Sequence, residues 1–360
     1  MSPTTRDLAR EAGVSLATVD RVLNGRPGVR QATLDAVMAA VDRIGFVRNQ
    51  SAANLARRRI YRFQFLLPRS GHEFLASVIS RITETHAALQ ADSVQIGYRQ
   101  VLENDPHQIS AALSVIEHDE VDGIAIMAPE SPQVRDAMLR AKNRGIHVVQ
   151  FVSGQQDVRP FDFVGVDNHA AGATAGRLIG RFTRDRSGSV LVISETMTAL
   201  DSVERRLGFD AVLTADYPNL VALPSLETHG DPSRTRHVIR NAYASQNNIV
   251  AVYVLSSEAG PALAAIAEFS DPTVQVIIAH ERTQITERQL WDGTLDAVIA
   301  QDPGHLVRSA VRVLRARSDG RTPLASQEKI RIEILLKENL GLEACPFGLV
   351  PRIAPAEDQR

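Results

Sequence analysis

The sequence predicts an all-α helix-turn-helix head followed by an α/β body of two doubly wound parallel-sheet subdomains. Three observations predict it. Three short amphipathic helical patterns crowd into the first fifty residues. From residue 63 onward, apolar runs of strand length alternate with amphipathic stretches of helix length. The charge is also divided between the two parts. The 360-residue chain carries a net −2, yet residues 1–60 hold ten Arg, no Lys and five acids, a balance of +5 that leaves −7 for the rest. A basic head on an acidic body is the asymmetry expected where only the head meets a polyanion.

In the head, Thr4 or Thr5 is positioned to cap a helix over residues 6–12, with Leu8, Ala9 and Ala12 as its apolar stripe. Gly13 suits the left-handed end of that helix, and Ser15 suits the N-cap of the next, over 16–24. Two short helices joined by a Gly-containing turn have helix-turn-helix geometry. Residues 25–28 end the second helix. A third spans 31–44, with Leu34, Val37, Val41 and Ile44 at helical spacing, and Gly45 stops it. In the second helix Val19, Val22 and Leu23 face inward by spacing, which leaves Leu16, Ala17, Thr18, Arg21 and Asn24 outside. Small residues at the start and an Arg in the middle suit a DNA major groove. Arg21 is placed to read a guanine edge, and Thr18 and Asn24 suit phosphates. The plainer alternative is a helical cap or dimerisation module.

The run from Thr5 through Arg-Asp-Leu-Ala-Arg-Glu-Ala-Gly-Val-Ser-Leu-Ala-Thr-Val-Asp-Arg-Val-Leu-Asn to Gly25 resembles the N-terminal signature of the lactose-repressor (LacI/GalR) family. The match continues through Gly28-Val29 and residues 44–46 to Asn49. Asp20 departs from it, standing where the family usually has Ser. The acid would be repelled by a phosphate; it suits a cytosine amino group or, as the favoured expectation, a pair with a neighbouring Arg. The resemblance implies DNA contacts from Thr5, Ser15, Leu16, Ala17, Thr18, Arg21 and Asn24. It also implies a hinge helix within 47–60 that orders on DNA, with Asn49, Ala52 and Leu55 in its pattern. There Leu55 would wedge between base pairs and Ala52 would meet the partner subunit's hinge. On composition alone the same stretch reads as a flexible basic linker.

In the body, strands are expected at 63–67, 94–98, 123–127, 147–151, 190–194, 250–255, 274–279 and 297–300. Helices over 73–89, 107–118, 132–144 and 168–182 lie among them. About 280 residues exceed one such sheet. Ligands of these folds bind beyond the C-terminal strand ends, and two facing edges make a cleft. The body resembles the type I periplasmic sugar-binding fold through three segments: 164–172, 202–209 with its Arg-x-x-Gly-aromatic pattern, and 291–303 with its Gln-x-Pro return. The expected organisation is a head (1–46), a hinge (47–60) and a body (61–343). Its N-subdomain is expected at about 61–163 plus 290–321, and its C-subdomain at about 164–289 plus 322–343. The tail, 344–360, has three prolines, no periodicity and no assigned role.

By position within the resembled motifs, Arg205 implies a sugar-gripping guanidinium and Gln301 a sugar-contacting amide. An ion pair with Glu204 and a capping role are their structural alternatives. Phe74 and His72 follow the first strand, where a ring would stack on a sugar and a polar group would bond a hydroxyl; Phe74 equally suits the core. Ser257 and His280 follow later strands. Ser256-Ser257, His280 and Val152-Ser153 replace residues usual in ribose binders, so the expected effector is a free pentose or, with several ribose-type contacts missing, a polyol, sugar acid or other modified sugar. The same resemblance implies a homodimer on a pseudo-palindromic operator.

Rival chemistry has little to stand on. The run 171–176 lacks the spacing of a dinucleotide fingerprint, and no nucleophile elbow, zinc-protease motif or phosphate loop occurs. Ten His are scattered without ligand spacing, and the one Cys, Cys345, excludes an internal disulfide. No enzyme, cofactor or metal is expected. No apolar run is long enough to span a membrane and no secretory leader is read at the start, so the expected compartment is the cytoplasm. The competing class is a solute-binding protein of a sugar transporter, which would share the body but not the head.

Overall fold

The computed structural model describes residues 3–23, 27–46, 59–69, 72–102, 105–155, 161–271 and 274–341. The chain divides into two compact units, Met1–Arg59 and Ile60–Arg360.

Among its described residues the first unit holds three helices, α1 (Thr5–Ala12), α2 (Leu16–Leu23) and α3 (Gln31–Ile44). Thr4 and Asp7 form a reciprocal capping box that starts α1. Gly13, at φ +65°, turns the chain out of α1 and returns its N–H to Ala9 and Arg10 carbonyls. Ser15 Oγ then accepts from the Thr18 N–H at 3.1 Å, which caps α2. Leu8, Ala9, Val19, Val22, Val37, Ala40 and Phe46 close the core. The inward stripe of α3 differs from the expected one at its start. Leu34 is 37% exposed while Ala40 is buried, because the short α1 and α2 cover only the later turns of the longer α3. The hinge positions Asn49, Ala52 and Leu55, and also Asn24 and the tail, lie outside the described residues.

The second unit is built on two sheets. The first contains β1 (Tyr61–Arg69), β2 (Val94–Leu102), β3 (Gly123–Ile126), β4 (His147–Phe151) and β5 (Asp162–Val164), all parallel, in the order β2-β1-β3-β4-β5. Helix α4 (Glu73–Leu89) covers one face; α5 (Pro106–Ser114) and α6 (Pro132–Asn143) cover the other. The chain then crosses to the second lobe through α7 (Asn168–Thr183), β6 (Gly188–Ser194), α8 (Leu200–Asp216), β7 (Leu220–Ala222), β8 (Leu226–Glu227), α9 (Pro232–Ser245), β9 (Ile249–Val254), α10 (Gly260–Ile266), β10 (Val276–His280), α11 (Gln284–Asp292) and β11 (Ala297–Ala300). Helix α12 (Pro303–Ser318) returns to the first lobe, and a short α13 (Ala325–Glu328) leads to β12 (Glu333–Leu335). The second sheet runs β12-β11-β10-β9-β6-β7, with β8 also on β6, and is parallel except for β12. Asp-Pro or Ser-Pro starts four of these helices: the acid or hydroxyl caps the free N–H groups, and the proline takes the first turn, where no N–H is needed.

The crossing back to the first lobe comes later than expected. Strand β11 pairs with β10 and β12, so residues 290–300 belong to the second lobe. The return begins at α12, whose Leu306, Val307, Ala310, Val311 and Leu314 enter the first core together with Ile330 after α13. The physical reason is that β11 lies in the second sheet between β10 and the short edge strand β12.

Helices α7 and α8 touch backbone to backbone. A Cβ on Gly172 would fall inside the Arg205 carbonyl, and one on Gly208 inside the His169 carbonyl. This close approach sets Arg205 directly over the start of α7.

Candidate functional site

The head presents one polar face. On α2, Leu16, Ala17 and Arg21 are exposed while Val19 and Val22 are buried. The helix start is ordered by Ser15 and Thr18, whose hydroxyls lie 2.8 Å apart. Thr5 is exposed at the first turn of α1. A short helix with an exposed N-terminus, an exposed leucine and an arginine one turn further on is shaped to enter a major groove and bond phosphates beside it.

In the body, the C-terminal strand ends of the two lobes face one cleft. The first lobe contributes Pro68 at the end of β1, His72 after it, residues 127–130 after β3, and Ser153-Gly154 after β4. The second contributes Glu195 and Thr196 after β6, residues 199–202 at the start of α8, and Ser256-Ser257 after β9. Val152 holds φ +63°, strained for a β-branched residue, and turns the chain so that Ser153 ties the ends of β3 and β4 through both backbone groups of Ala128. Two contacts join the lobes at the cleft edge. His72 Nε2 lies 3.7 Å from Glu195 Oε2, and the Glu73 N–H donates to Glu258 Oε2 at 3.3 Å.

Beneath the second-lobe side lies a buried polar cluster. Arg205 is 1% exposed. Its Nε donates to Asn168 Oδ1 at 3.0 Å, its Nη1 to the Leu255 carbonyl at 2.9 Å, and its Nη2 to Glu281 Oε1 at 3.3 Å. Gln301 Nε2 donates to the same carboxylate oxygen at 3.0 Å. Burial pushes the Glu281 carboxyl up from its ordinary range, while Arg205 and Gln301 pull it back down. Glu281 itself sits at φ +65° at the end of β10. Beside it, Tyr253 and His280 are fully enclosed. Burial raises the phenol above its ordinary value, and burial together with Arg205 holds His280 well below its own. The Tyr253 hydroxyl and His280 Nε2 share a hydrogen bond of 2.7 Å.

Two family models match this chain. The bacterial regulatory proteins of the lacI family match residues 4–49, and the periplasmic binding protein domain matches residues 63–322. The chain belongs, through its body, to the periplasmic binding protein domain family, and its head carries the lacI-family match. Catabolite control protein A of Priestia megaterium is 30% identical over 128 residues, covering 36% of this chain and 37% of that protein. The HTH-type transcriptional repressor PurR of Pectobacterium carotovorum subsp. carotovorum (strain PC1) is 32% identical over 211 residues, covering 57% and 58%. The chain thus spans between about a third and three-fifths of the length of these relatives. GanP, a glucose-galactose binding protein from Geobacillus stearothermophilus, shares the fold of the body, with a TM-score of 0.69 and 19% identity, over 79% of this chain and all of that one.

The structure sorts the expected effector residues into three groups. His72 and Ser257 line the cleft. Arg205, His280 and Gln301 lie together under its floor, bonded to protein groups. Phe74 corrects an expectation: it is 2% exposed and packs in the first-lobe core, so it offers no ring to the cleft. As the second residue of α4 its side chain points onto the sheet. Arg205 pairs with Glu281, not Glu204, whose own carboxyl is raised by burial and bonded to Asn168.

Sequence reasoning missed Glu195, Asp201, Glu281 and Asn168. Glu281 had a readable signal: the acid missing at position 280 is present one residue later, on a longer side chain. Asp201 in the first turn of a helix reads equally well as a partner for the helix dipole.

Proposed function

We propose that this chain is a sequence-specific DNA-binding transcriptional repressor, working as a homodimer in the cytoplasm, whose operator affinity is set by a sugar-like effector in the body cleft. The observation that carries the reading is the three-helix head whose α2 buries Val19 and Val22 and exposes Leu16, Ala17 and Arg21. A solute-binding protein would use the body alone and leave that head without a task; the head likewise favours a regulator over an enzyme.

In this reading Arg21 reads a base edge in each half-site, Leu16 and Ala17 meet bases, and Thr5, Ser15, Thr18 and Asn24 hold phosphates. The hinge, with Asn49 and Ala52, brings Leu55 to the centre of a pseudo-palindrome. His72 and Ser257 contact the effector directly. Arg205, His280 and Gln301 support the floor beneath it. Closing the lobes on the effector changes the spacing of the two hinges, and linkage requires DNA to change effector affinity by the same factor.

The test is selection of operators from random duplexes at fixed salt, followed by titration. Arg21→Ala is expected to cost about 1–3 kcal/mol on the selected site while leaving nonspecific binding close to unchanged. Leu55→Ala is expected to weaken the selected site and spare effector binding. A chain that selects no sequence, or an Arg21→Ala variant with undiminished discrimination, refutes the proposal.

A further inference from the structure

The charged groups on the cleft wall are nearly all of one sign. Glu130, Glu195 and Asp201 line it, and no Lys or Arg does so among the described residues. Arg135 answers Glu130, and His72 stands beside Glu195. Asp201 has no cation within ion-pair distance among the described residues. The resemblance sends one arginine to the ligand, Arg205. Here it is enclosed under the floor and neutralised by Glu281. The unanswered buried atoms around the cleft are acceptors as well. Glu281 Oε2 and Gln301 Oε1, at the same sheet edge, and Glu73 Oε2, next to His72, have no hydrogen-bond partner among the described residues. Closing two lobes on such a wall takes carboxylates out of water, which is costly unless the occupant supplies donors and positive charge.

The rest of the wall supplies what a polyol needs. Ser153, Thr196, Ser202 and Ser257 offer hydroxyls, and Met127 and Leu200 offer apolar surface to a sugar's carbon face. We propose that the effector is an amino sugar or amino polyol, its ammonium held on the side of the cleft formed by Glu195 and Asp201. Both acids come from the single crossing between β6 and α8. This deepens the reading given above and rests on it. The same wall excludes a sugar acid or phosphosugar, which would bring a second negative charge into a closed space.

The test uses the full chain in thermal-shift and calorimetric titrations. The probes are glucosamine, galactosamine, mannosamine and 1-amino-1-deoxysorbitol, each against its N-acetyl derivative and its parent hexose or alditol, with glucuronate and spermidine as further arms. The expected result is that at least one amine binds about tenfold or more tighter than its N-acetyl derivative, the size of effect expected from one charge-assisted bond. Asp201→Asn and Glu195→Gln, which keep the side-chain shape, are expected to reduce that preference toward unity. Equal binding of the N-acetyl compound or parent sugar overturns the proposal. So does tighter binding of glucuronate, a response to spermidine alone, or no response to any amine. Operator selection by the unaltered chain is run in parallel. A chain that selects DNA but answers a neutral sugar refutes the amine and leaves the regulator standing; a chain that selects no DNA refutes the regulator.

Discussion

Glu281→Gln removes one charge from a pair in which both side chains are 2% exposed. The change keeps the size of the side chain and an oxygen for Gln301 Nε2 and Arg205 Nη2. What is lost is the negative charge facing a guanidinium that cannot reach water. Breaking a buried pair from one side costs about 3–5 kcal/mol. The lower end applies here, since Asn168 Oδ1 and the Leu255 carbonyl still accept from Arg205. For a body of this size that corresponds to a melting point lower by about 6–12 °C. The assay is urea unfolding followed by the fluorescence of Trp291, the only tryptophan, which packs against the second-lobe core. Arg205→Met alone should also destabilise, with a pH signature. Arg205 holds the Glu281 carboxyl down against burial. Without it the folded pKa rises further above the unfolded value, so stability present in acid is lost as pH rises, and the cost of Arg205→Met grows with pH. The double variant should be more stable than the sum of the single losses predicts, by about 2 kcal/mol or more. Additive losses, or a cost below about 1 kcal/mol for Glu281→Gln, would show that the pair is not the enclosed unit described.

Gly172→Ala should destabilise the body by about 3 kcal/mol or more, because the new methyl meets the Arg205 carbonyl, part of a helix backbone that cannot step aside. Gly176→Ala, whose Cβ would stand 3.0 Å from the Phe209 carbonyl, should cost less; equal costs in urea unfolding would count against the interlock. His280, held well below its ordinary pKa, contributes stability that is present above about pH 6.5 and lost as pH falls, because only the unfolded chain takes up the proton. His280→Gln, which keeps an acceptor for Tyr253, should flatten that acid slope; an unchanged slope between about pH 7.5 and 5.5 would assign it to another group.

Much of the fold was legible because buried parallel strands leave continuous apolar runs. Residues 147–151 and 297–300 were found at their observed bounds, and α3 was placed at 31–44 by its spacing and by Gly45. The strands that escaped, β5, β7, β8 and β12, have two or three residues each, too few for any period to register. The site was less legible. An aromatic after a strand has the same signature whether it stacks on a ligand or plugs a core, and Phe74 plugs the core. Arg205 was identifiable as special from its spacing to Gly208. Its partner, 76 residues away, was not, because nothing local in the sequence records which acid a folded sheet edge brings to it.

The position of that cluster bears on how a cleft event could reach the hinge. The chain passes between the lobes just before Asn168, again at 301–302 between β11 and α12, and a third time before β12. Asn168 opens the first helix after the first passage, and Gln301 is the first residue of the second. Arg205 and Glu281 bond to these two residues and to each other, so a single buried network ties two of the three crossings to the second lobe. The floor of the cleft is therefore rigid where it meets the crossings, and α7 and α8 reinforce it by direct backbone contact. Relative motion is left to the few residues on the first-lobe side of that network and to the edge contacts His72–Glu195 and Glu73–Glu258, which an occupant of the cleft would meet. In the resembled pattern an arginine grips the ligand; here Arg205 is bonded to Asn168, the Leu255 carbonyl and Glu281, next to two of the three crossings.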